Sequence, residues 1–415
     1  MESSPRMNDA NPSPHDFAAR TQALNIYSGQ DALANLPREL RRHGVRRALV
    51  LCGKSVNEKT DLIRRIETLA ESGVIGVFAG ITEGAPAECI EDAARVALEL
   101  RADGLIAVGA GSVIKGARVV AMLMGEGRPL QEMATRHVEG LPPVSQRLLA
   151  PKLPIFNVLT SPTSAQHRAG SAVRYHGSAH HLEFFDPKTR PKAVFWDAQA
   201  LATAPLSLQR STSFEIYWWS LMCMGAVDTC NPLVQASRRQ AWRLARAAYP
   251  RLGSTAASSA QIDLCAAALL QNRDEEDGGR PWSCHLLARA AYAVAVGVFN
   301  HYRGITQSHG YAGMAPAVIR HLGPQVPDVL VALGEALGLA NLDRDAGLAE
   351  RVASAVEKEF EALGWQGKLA GRGIPGADAP LLVGFALRNY NANHDRLLDA
   401  HVDGLQRAIE ASLRV

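Results

Sequence analysis

Between residues 45 and 200 the chain alternates short, unbroken apolar runs with stretches of helical period. Arg47–Cys52 (RALVLC) is a strand that stops at Gly53; helical periodicity follows over 58–72, and Val74–Phe78 (VIGVF) is a second run. Ala85 and Pro86 open a helix over 88–101, and Gly104–Val108 (GLIAV) is a third strand, with further strands at Ile155–Leu159 and Ala193–Trp196. Uninterrupted apolar strands separated by helices are how a parallel sheet covered on both faces reads in sequence. Such a sheet binds ligands at the carboxyl ends of its strands.

After Asp197 these runs stop. Helical periods take over at 207–224, 233–248, 256–270, 284–300, 326–337, 345–363, 379–390 and 394–413, with Pro232, Pro250, Pro281 and Pro324 near their ends as breakers. The length of 415 residues suits two domains. The pattern divides the chain into a Ser-, Pro- and Asn-rich tail (1–23), flexible through about Phe17, an α/β domain (24–200) and an all-helical domain (201–415).

Composition narrows the class. Lys and Arg number 44 against 41 Asp and Glu, a net charge of +3 with no basic block, so nucleic acid is not an expected partner. No apolar stretch reaches the roughly 18 residues of a membrane span. The most apolar segment, Ala290–Phe299, reads as a buried helix. The N-terminus lacks the charged-then-apolar build of a secretory signal. Cys52, Cys89, Cys223, Cys230, Cys265 and Cys284 are scattered without a CxxC, which fits reduced thiols in a cytoplasmic protein rather than a disulfide framework or zinc cluster.

The sharpest local feature is Val108–Ile114 (VGAGSVI), directly after a strand and running into a helix. Glycines there let the backbone approach a pyrophosphate, and the helix N-terminus offers free N–H groups and a positive dipole end. Gly109, Ala110, Gly111 and Ser112 are therefore the expected phosphate cradle.

Residues 109–118, GAGSVIKGAR, resemble the GGGSxxDxAK loop of the iron-containing alcohol dehydrogenases and their relatives, the maleylacetate reductases. The resemblance continues in order: Tyr27–Gly29 and ALVLCG like the opening strands, Pro154–Ser161 (PIFNVLTS) where the family has P-x-x-x-x-P-T-T, and Asp186-Pro187 through Asp197 like the run into the domain boundary. Ser211–Glu215 falls where the family has T-G-x-D, His309-Gly310 resembles its late His-Gly, and Asn391–Asp395 precedes a similar terminal helix. The resemblance implies a Rossmann-like dinucleotide-binding α/β domain, an all-α C-terminal domain and an active site in the cleft between them. It also implies NAD or NADP as cofactor, with Thr160 and Ser161 toward the nicotinamide, and reduction of a small carbonyl compound or oxidation of an alcohol. A small-molecule substrate and a homodimer are the expected partner and assembly.

The family holds a divalent metal with an Asp and a His four residues apart on one helix, plus two later His. The corresponding positions here are Glu215, Trp219, Ala295 and His309, with Phe299 at an accessory His. Indole has no lone pair to offer a metal, so no bound metal is expected; maleylacetate reductases work without a dedicated one. Ser164–His167 (SAQH) replaces the family's T-G-S-E, and His181 stands where the family has a Lys. His167, His181, Glu215, Tyr217, His301, Arg303 and His309 are then the polar residues expected to face the cleft. His309, His181 and Tyr217, in that order, are candidates to polarise or protonate a carbonyl oxygen. Glu215 would relay a proton or orient a histidine, and Arg303 would hold a carboxylate or phosphate.

At the end of the second strand the family often has an Asp that binds the adenine ribose; here Gly53, Lys54 and Ser55 follow, which permits NADPH. Two other readings stay open: a cyclase or lyase resembling dehydroquinate synthase, which shares this fold, and a non-catalytic nucleotide-binding subunit.

Overall fold

A computed structural model describes residues 13–138, 141, 143–176, 181–255, 257–279 and 284–414. The first twelve residues of the tail lie outside the described residues, as do Ala256 and Pro281 among the expected helix bounds. Eight strands form: β1 (Asn25–Gly29), β2 (Ala48–Cys52), β3 (Val74–Phe78), β4 (Gly104–Gly109), β5 (Ile155–Leu159), β6 (Gly170–Val173), β7 (Leu182–Phe185) and β8 (Ala193–Asp197). Six make one parallel sheet in the order β1-β8-β5-β4-β2-β3, and β6 and β7 pair as a separate antiparallel hairpin.

Burial explains which strands the apolar pattern reveals. β2, β4, β5 and β8 are buried along their whole length, so both faces demand apolar side chains. The edge strand β1 alternates covered and exposed positions and shows no unbroken run. β6 and β7 are four-residue strands whose hairpin the pattern does not show.

From β2 the chain moves outward to β3, then returns to lay β4 along the other side of β2. Strand order reverses there, so the carboxyl ends of β2 and β4 open a crevice.

From Ala198 onward the described residues form only helices and connections. Ala290–Phe299 lies inside the Leu286–His301 helix, which is buried in the core. It packs on Gln307–Leu322, a helix that the sequence reading lacks because Gly310, Gly313 and Pro316 read as breakers. Those glycines allow close approach. A Cβ on Gly310 would stand 2.8 Å from Ala295 Cα, and one on Gly313 2.8 Å from the Leu369 side chain. Packing on nearly all sides stabilises this helix despite its poor local propensity.

Asp197, at the end of β8, is fully buried and fully bonded. It accepts from Arg65 Nη1 at 2.7 Å and Nη2 at 3.0 Å, from the Leu33 N–H at 3.0 Å and from the Ala200 N–H at 3.1 Å. Removing one partner of a buried charge pair leaves the other uncompensated. Asp197→Ala is expected to cost about 3 kcal/mol, measured as an earlier urea midpoint in the far-ultraviolet circular dichroism transition.

Candidate active site

The sheet side of the candidate site is assembled on adjacent strand ends. Gly53 follows β2, Gly109 closes β4, and Thr160 and Ser161 follow β5. Ala110 is the N-cap residue of the Gly111–Glu126 helix and supplies no side-chain cap, so the N-terminus of a 16-residue helix is left open at the crevice. A Cβ on Gly111 would meet only Thr163 Oγ1, at 3.5 Å. Gly109 is more constrained, since a Cβ there would fall 2.7 Å from Val113 Cγ2. The Ser112 hydroxyl accepts from the Gly84 N–H at 3.1 Å and ties down the neighbouring loop. Thr160 donates its N–H to Gly109 O at 3.3 Å, and Ser161 Oγ lies 2.6 Å from Thr212 Oγ1 on the helical side. Lys54 and Ser55 are exposed in the first turn after Gly53, and Lys54 Nζ lies 3.7 Å from Glu58.

The facing wall is the Leu206–Met224 helix. Glu215 accepts from Ser164 Oγ at 2.7 Å, which joins this wall to the segment after β5. Lys115, one turn into the phosphate-loop helix, has Glu215 as its strongest opposite charge; burial, the larger effect, lowers its pKa. Arg118 lies one turn further on, buried, donating to Ala165 O at 2.7 Å and Ser171 Oγ at 2.9 Å. Burial, with Arg168 and Arg190 nearby, lowers Arg118 to about 9, so it stays charged at neutral pH.

The four family metal positions do not form a chelating set. Trp219 is buried with its ring 6.1 Å from that of Tyr292. Trp218 stacks on Tyr311 at 4.1 Å, and Tyr311 lies 6.2 Å from Tyr292. Ala295 packs against Gly310. His309 is used locally: its Nδ1 accepts from the Thr306 N–H at 3.1 Å, while Thr306 Oγ1 accepts from the His309 N–H at 3.3 Å, and its ring lies 5.2 Å from Trp365. Among the described residues no group of three His, Cys, Asp or Glu is arranged to hold a metal ion.

The seven polar candidates occupy several places. His181 and His301 come together, lining a cavity of about 80 Å³ with His137, Glu183, Asn300 and Arg388. His137 Nε2 lies 3.0 Å from Glu183 Oε2. Burial pushes Tyr292 up to about 12, with Glu215 and Glu183 adding to the shift. His167 is buried against Glu276, at 3.1 Å, where burial lowers its pKa. Tyr217 lies on another side of its helix, bonded to Glu359 and packed on Phe214, Trp242 and Tyr249; burial first, then Glu359, raises its pKa. Arg303 is exposed beyond the end of the Leu286–His301 helix. Sequence reasoning passed over Lys115, Glu183, His137 and Tyr292. For Lys115 the signal was available, because Lys replaces the Asp of GGGSxxDxAK.

A six-stranded parallel sheet with a glycine turn at the end of β4, followed by a helical half, defines a two-part α/β-then-α architecture. Residues 23–198 match the sequence model of the iron-containing alcohol dehydrogenases. Maleylacetate reductase of Pseudomonas knackmussii is 36% identical over 108 residues, which is 26% of this chain and 29% of that protein. Maleylacetate reductase 2 of Cupriavidus pinatubonensis is 35% identical over 115 residues, 27% of this chain and 30% of that one. The aligned stretch thus spans less than a third of these relatives. Over nearly full length, the fold matches an archaeal alcohol dehydrogenase from a Red Sea brine pool (TM-score 0.82, 15% identity, 96% of this chain and 99% of that chain). It also matches NADH-dependent butanol dehydrogenase A of Thermotoga maritima (0.81, 16%, 97% and 100%) and maleylacetate reductase of a Rhizobium species (0.69, 16%, 96% and 98%). The α/β half is thus similar in sequence to the iron-containing alcohol dehydrogenases, and over nearly its whole length the chain shares the fold of these solved dehydrogenases and maleylacetate reductase.

Burial, with Arg372 adding, lowers His309 to about 4. Its folded pKa is below the unfolded value near 6.5, so the unfolded chain binds more protons between those values and stability falls as pH drops through that window. The proton would land on Nδ1, which accepts from Thr306. His309→Gln is expected to shrink the drop in melting temperature between pH 7 and pH 5, measured by differential scanning fluorimetry.

Proposed function

We propose that the protein is an oxidoreductase that moves hydride between NADH or NADPH and a small carbonyl compound or alcohol, in the manner of maleylacetate reductase, and needs no bound metal. The observation that carries this reading is the open helix N-terminus at the sheet crevice, facing a wall joined to it through Ser164 and Glu215. Kinship of the α/β half with alcohol dehydrogenases and maleylacetate reductases supports the reaction class. The donor set at the four family metal positions supports metal independence, since only Glu215 and His309 carry ligating atoms and each is engaged elsewhere.

The cradle fits a dinucleotide. Gly111, Ser112 and Val113 would present N–H groups to the pyrophosphate, with Thr160 toward the nicotinamide half. When bound, the nicotinamide supplies or accepts the hydride. The aromatic wall of Trp219, Tyr292 and Tyr311 excludes water from the reacting carbon. His181, His301 and Arg388 line the small cavity, where a polar substrate group would lie. Lys54 sits in a surface pair worth little, so it is available to a 2′-phosphate. All six cysteines are free thiols. They suit a reducing compartment, and we place the enzyme in the cytoplasm as a homodimer.

Turnover of NADH and NADPH with straight-chain aldehydes and 4-oxo acids is expected to survive dialysis against a strong chelator. Loss of activity that zinc or iron restores would overturn metal independence. In fluorescence titrations Gly111→Val is expected to weaken both cofactors at least tenfold. Lys54→Asp is expected to move the preference toward NADH; an unmoved ratio would remove Lys54 from the cofactor site.

A further inference from the structure

Residues 82–87, TEGAPA, lead from β3 into the Ala87–Glu99 helix. Gly84 and Ala85 both take left-handed backbone, at φ 78° and 48°. A residue with a side chain rarely adopts that conformation, so the turn needs support from outside. On one side the Gly84 N–H donates to Ser112 Oγ, in the phosphate loop, at 3.1 Å. On the other, Arg174 clasps the turn with its backbone. The Ala87 N–H donates to Arg174 O at 2.8 Å, and the Arg174 N–H donates to Gly84 O at 3.4 Å. Arg174 directly follows β6, so the antiparallel hairpin is what brings it here.

The Arg174 side chain lies over the same glycine. A Cβ on Gly84 would stand 3.1 Å from Arg174 Cζ, 3.1 Å from Nη2 and 3.3 Å from Nε. With Cζ as near as its nitrogens, the guanidinium must lie face-on against Gly84, and a side chain there would push it away. Its N–H bonds lie in its own plane and therefore run past Gly84 rather than into it. Arg118, Arg168 and Arg190, the arginines of the neighbouring segments, all have acceptors. Among the described residues the half-buried guanidinium of Arg174 has no hydrogen bond and no ion pair. A seated cation whose donors all lack an acceptor is a charge without its partner.

The phosphate loop lacks the matching half. Its first helical turn, Gly111–Ile114, offers backbone N–H groups but no cationic side chain to a pyrophosphate. Arg174 is joined to that loop through a single residue, Gly84, which touches its guanidinium and bonds Ser112. We propose that Arg174 is the charged clamp on the cofactor's pyrophosphate, donating to phosphate oxygens held at the N–H groups of Gly111 and Ser112. This rests on the dinucleotide reading of the cradle and adds the cation which that reading lacks. A planar fork suits the task, since it can meet two oxygens of one phosphate at once. The β6–β7 hairpin then serves to present Arg174, and Gly84 both turns the chain and leaves the guanidinium its seat.

In fluorescence titrations Arg174→Gln is expected to weaken NADH and NADPH alike, roughly tenfold or more, as loss of a charge-assisted pair does. ADP-ribose, a competitor that carries the pyrophosphate without the nicotinamide, should lose affinity by the same factor. Adenosine, which has no phosphate, should compete equally well with parent and variant, and the melting temperature without cofactor should not fall. Arg174→Lys keeps a point charge without the fork and should recover part of the loss. NADH affinity should also decline more steeply with added salt in the parent than in Arg174→Gln. Unchanged NADH and ADP-ribose affinity in Arg174→Gln would overturn the clamp. So would a loss confined to NADPH, which would place the guanidinium at the 2′-phosphate. A loss of adenosine equal to that of NADH would make Arg174 a prop for the turn and overturn it too. A higher KM for 4-oxo acids but not for neutral aldehydes, with NADH binding intact, would hand the guanidinium to a substrate carboxylate and remove it from the cofactor. A parent protein that binds neither dinucleotide would overturn the dinucleotide reading, and the clamp with it.

Discussion

Six consecutive residues, Thr163–Arg168, fix the position of the phosphate edge relative to the helical wall. The Thr163 side chain caps the turn by accepting from the Ala165 N–H at 3.2 Å. Ser164 reaches Glu215 through its hydroxyl and accepts from Asn272 Nδ2 at its carbonyl, at 2.6 Å. Gln166 is buried with both ends of its side-chain amide paired: Trp196 Nε1 donates to its Oε1, its Nε2 donates to Cys265 O, and Asn157 Nδ2 donates to its backbone carbonyl. His167 meets Glu276 and Arg168 meets Asn272. Buried polar groups paired in this way favour one arrangement, because breaking a pair leaves a buried group unpaired at a cost of roughly 1–3 kcal/mol; His167 Nδ1 and Asn157 Oδ1 are the members left without a partner. The cleft between the halves is therefore a set geometry, and every cleft side chain discussed above depends on it.

Across that cleft the charges are reversed relative to the family pattern. The family places an Asp on the phosphate-loop helix and a cation, its metal, in the facing wall. Here the loop helix carries Lys115 and the wall keeps the carboxylate of Glu215, with aromatic rings where ligands would be. Attraction between the two sides is preserved with the signs exchanged.

Much of this was legible in the sequence, and the rest for definite reasons was not. Val74–Phe78 and Ile155–Leu159 were found at their true bounds because each is an unbroken apolar run: Ile155–Leu159 is buried throughout, and the edge strand Val74–Phe78 is half-covered along its whole length. The 58–72 helix proved to be two, Lys54–Lys59 and Leu62–Ala70, broken at Thr60, where the backbone turns extended. The 307–322 helix was hidden by its own glycines, which serve helix contact rather than chain reversal. The Gly109–Ser112 turn was readable because its signal, a strand end running straight into a helix, is local. The wall was not, because which way His309, Tyr217 and His167 turn depends on distant partners: Trp365, Glu359 and Glu276. Lys115 differs, since a single letter in the loop announced it.

The aromatic wall also sets the routes open to the protein's descendants. Trp218, Tyr311, Tyr292 and Trp219 hold one another by ring contacts, and Gly310 seats directly on Ala295. A histidine introduced alone at position 219 or 295 would open a void or strike its neighbours, and would find at most one co-ligand in reach. Each single step toward a chelating site therefore loses packing before it gains a ligand. Building a chelating set there one residue at a time would therefore pass through less stable variants.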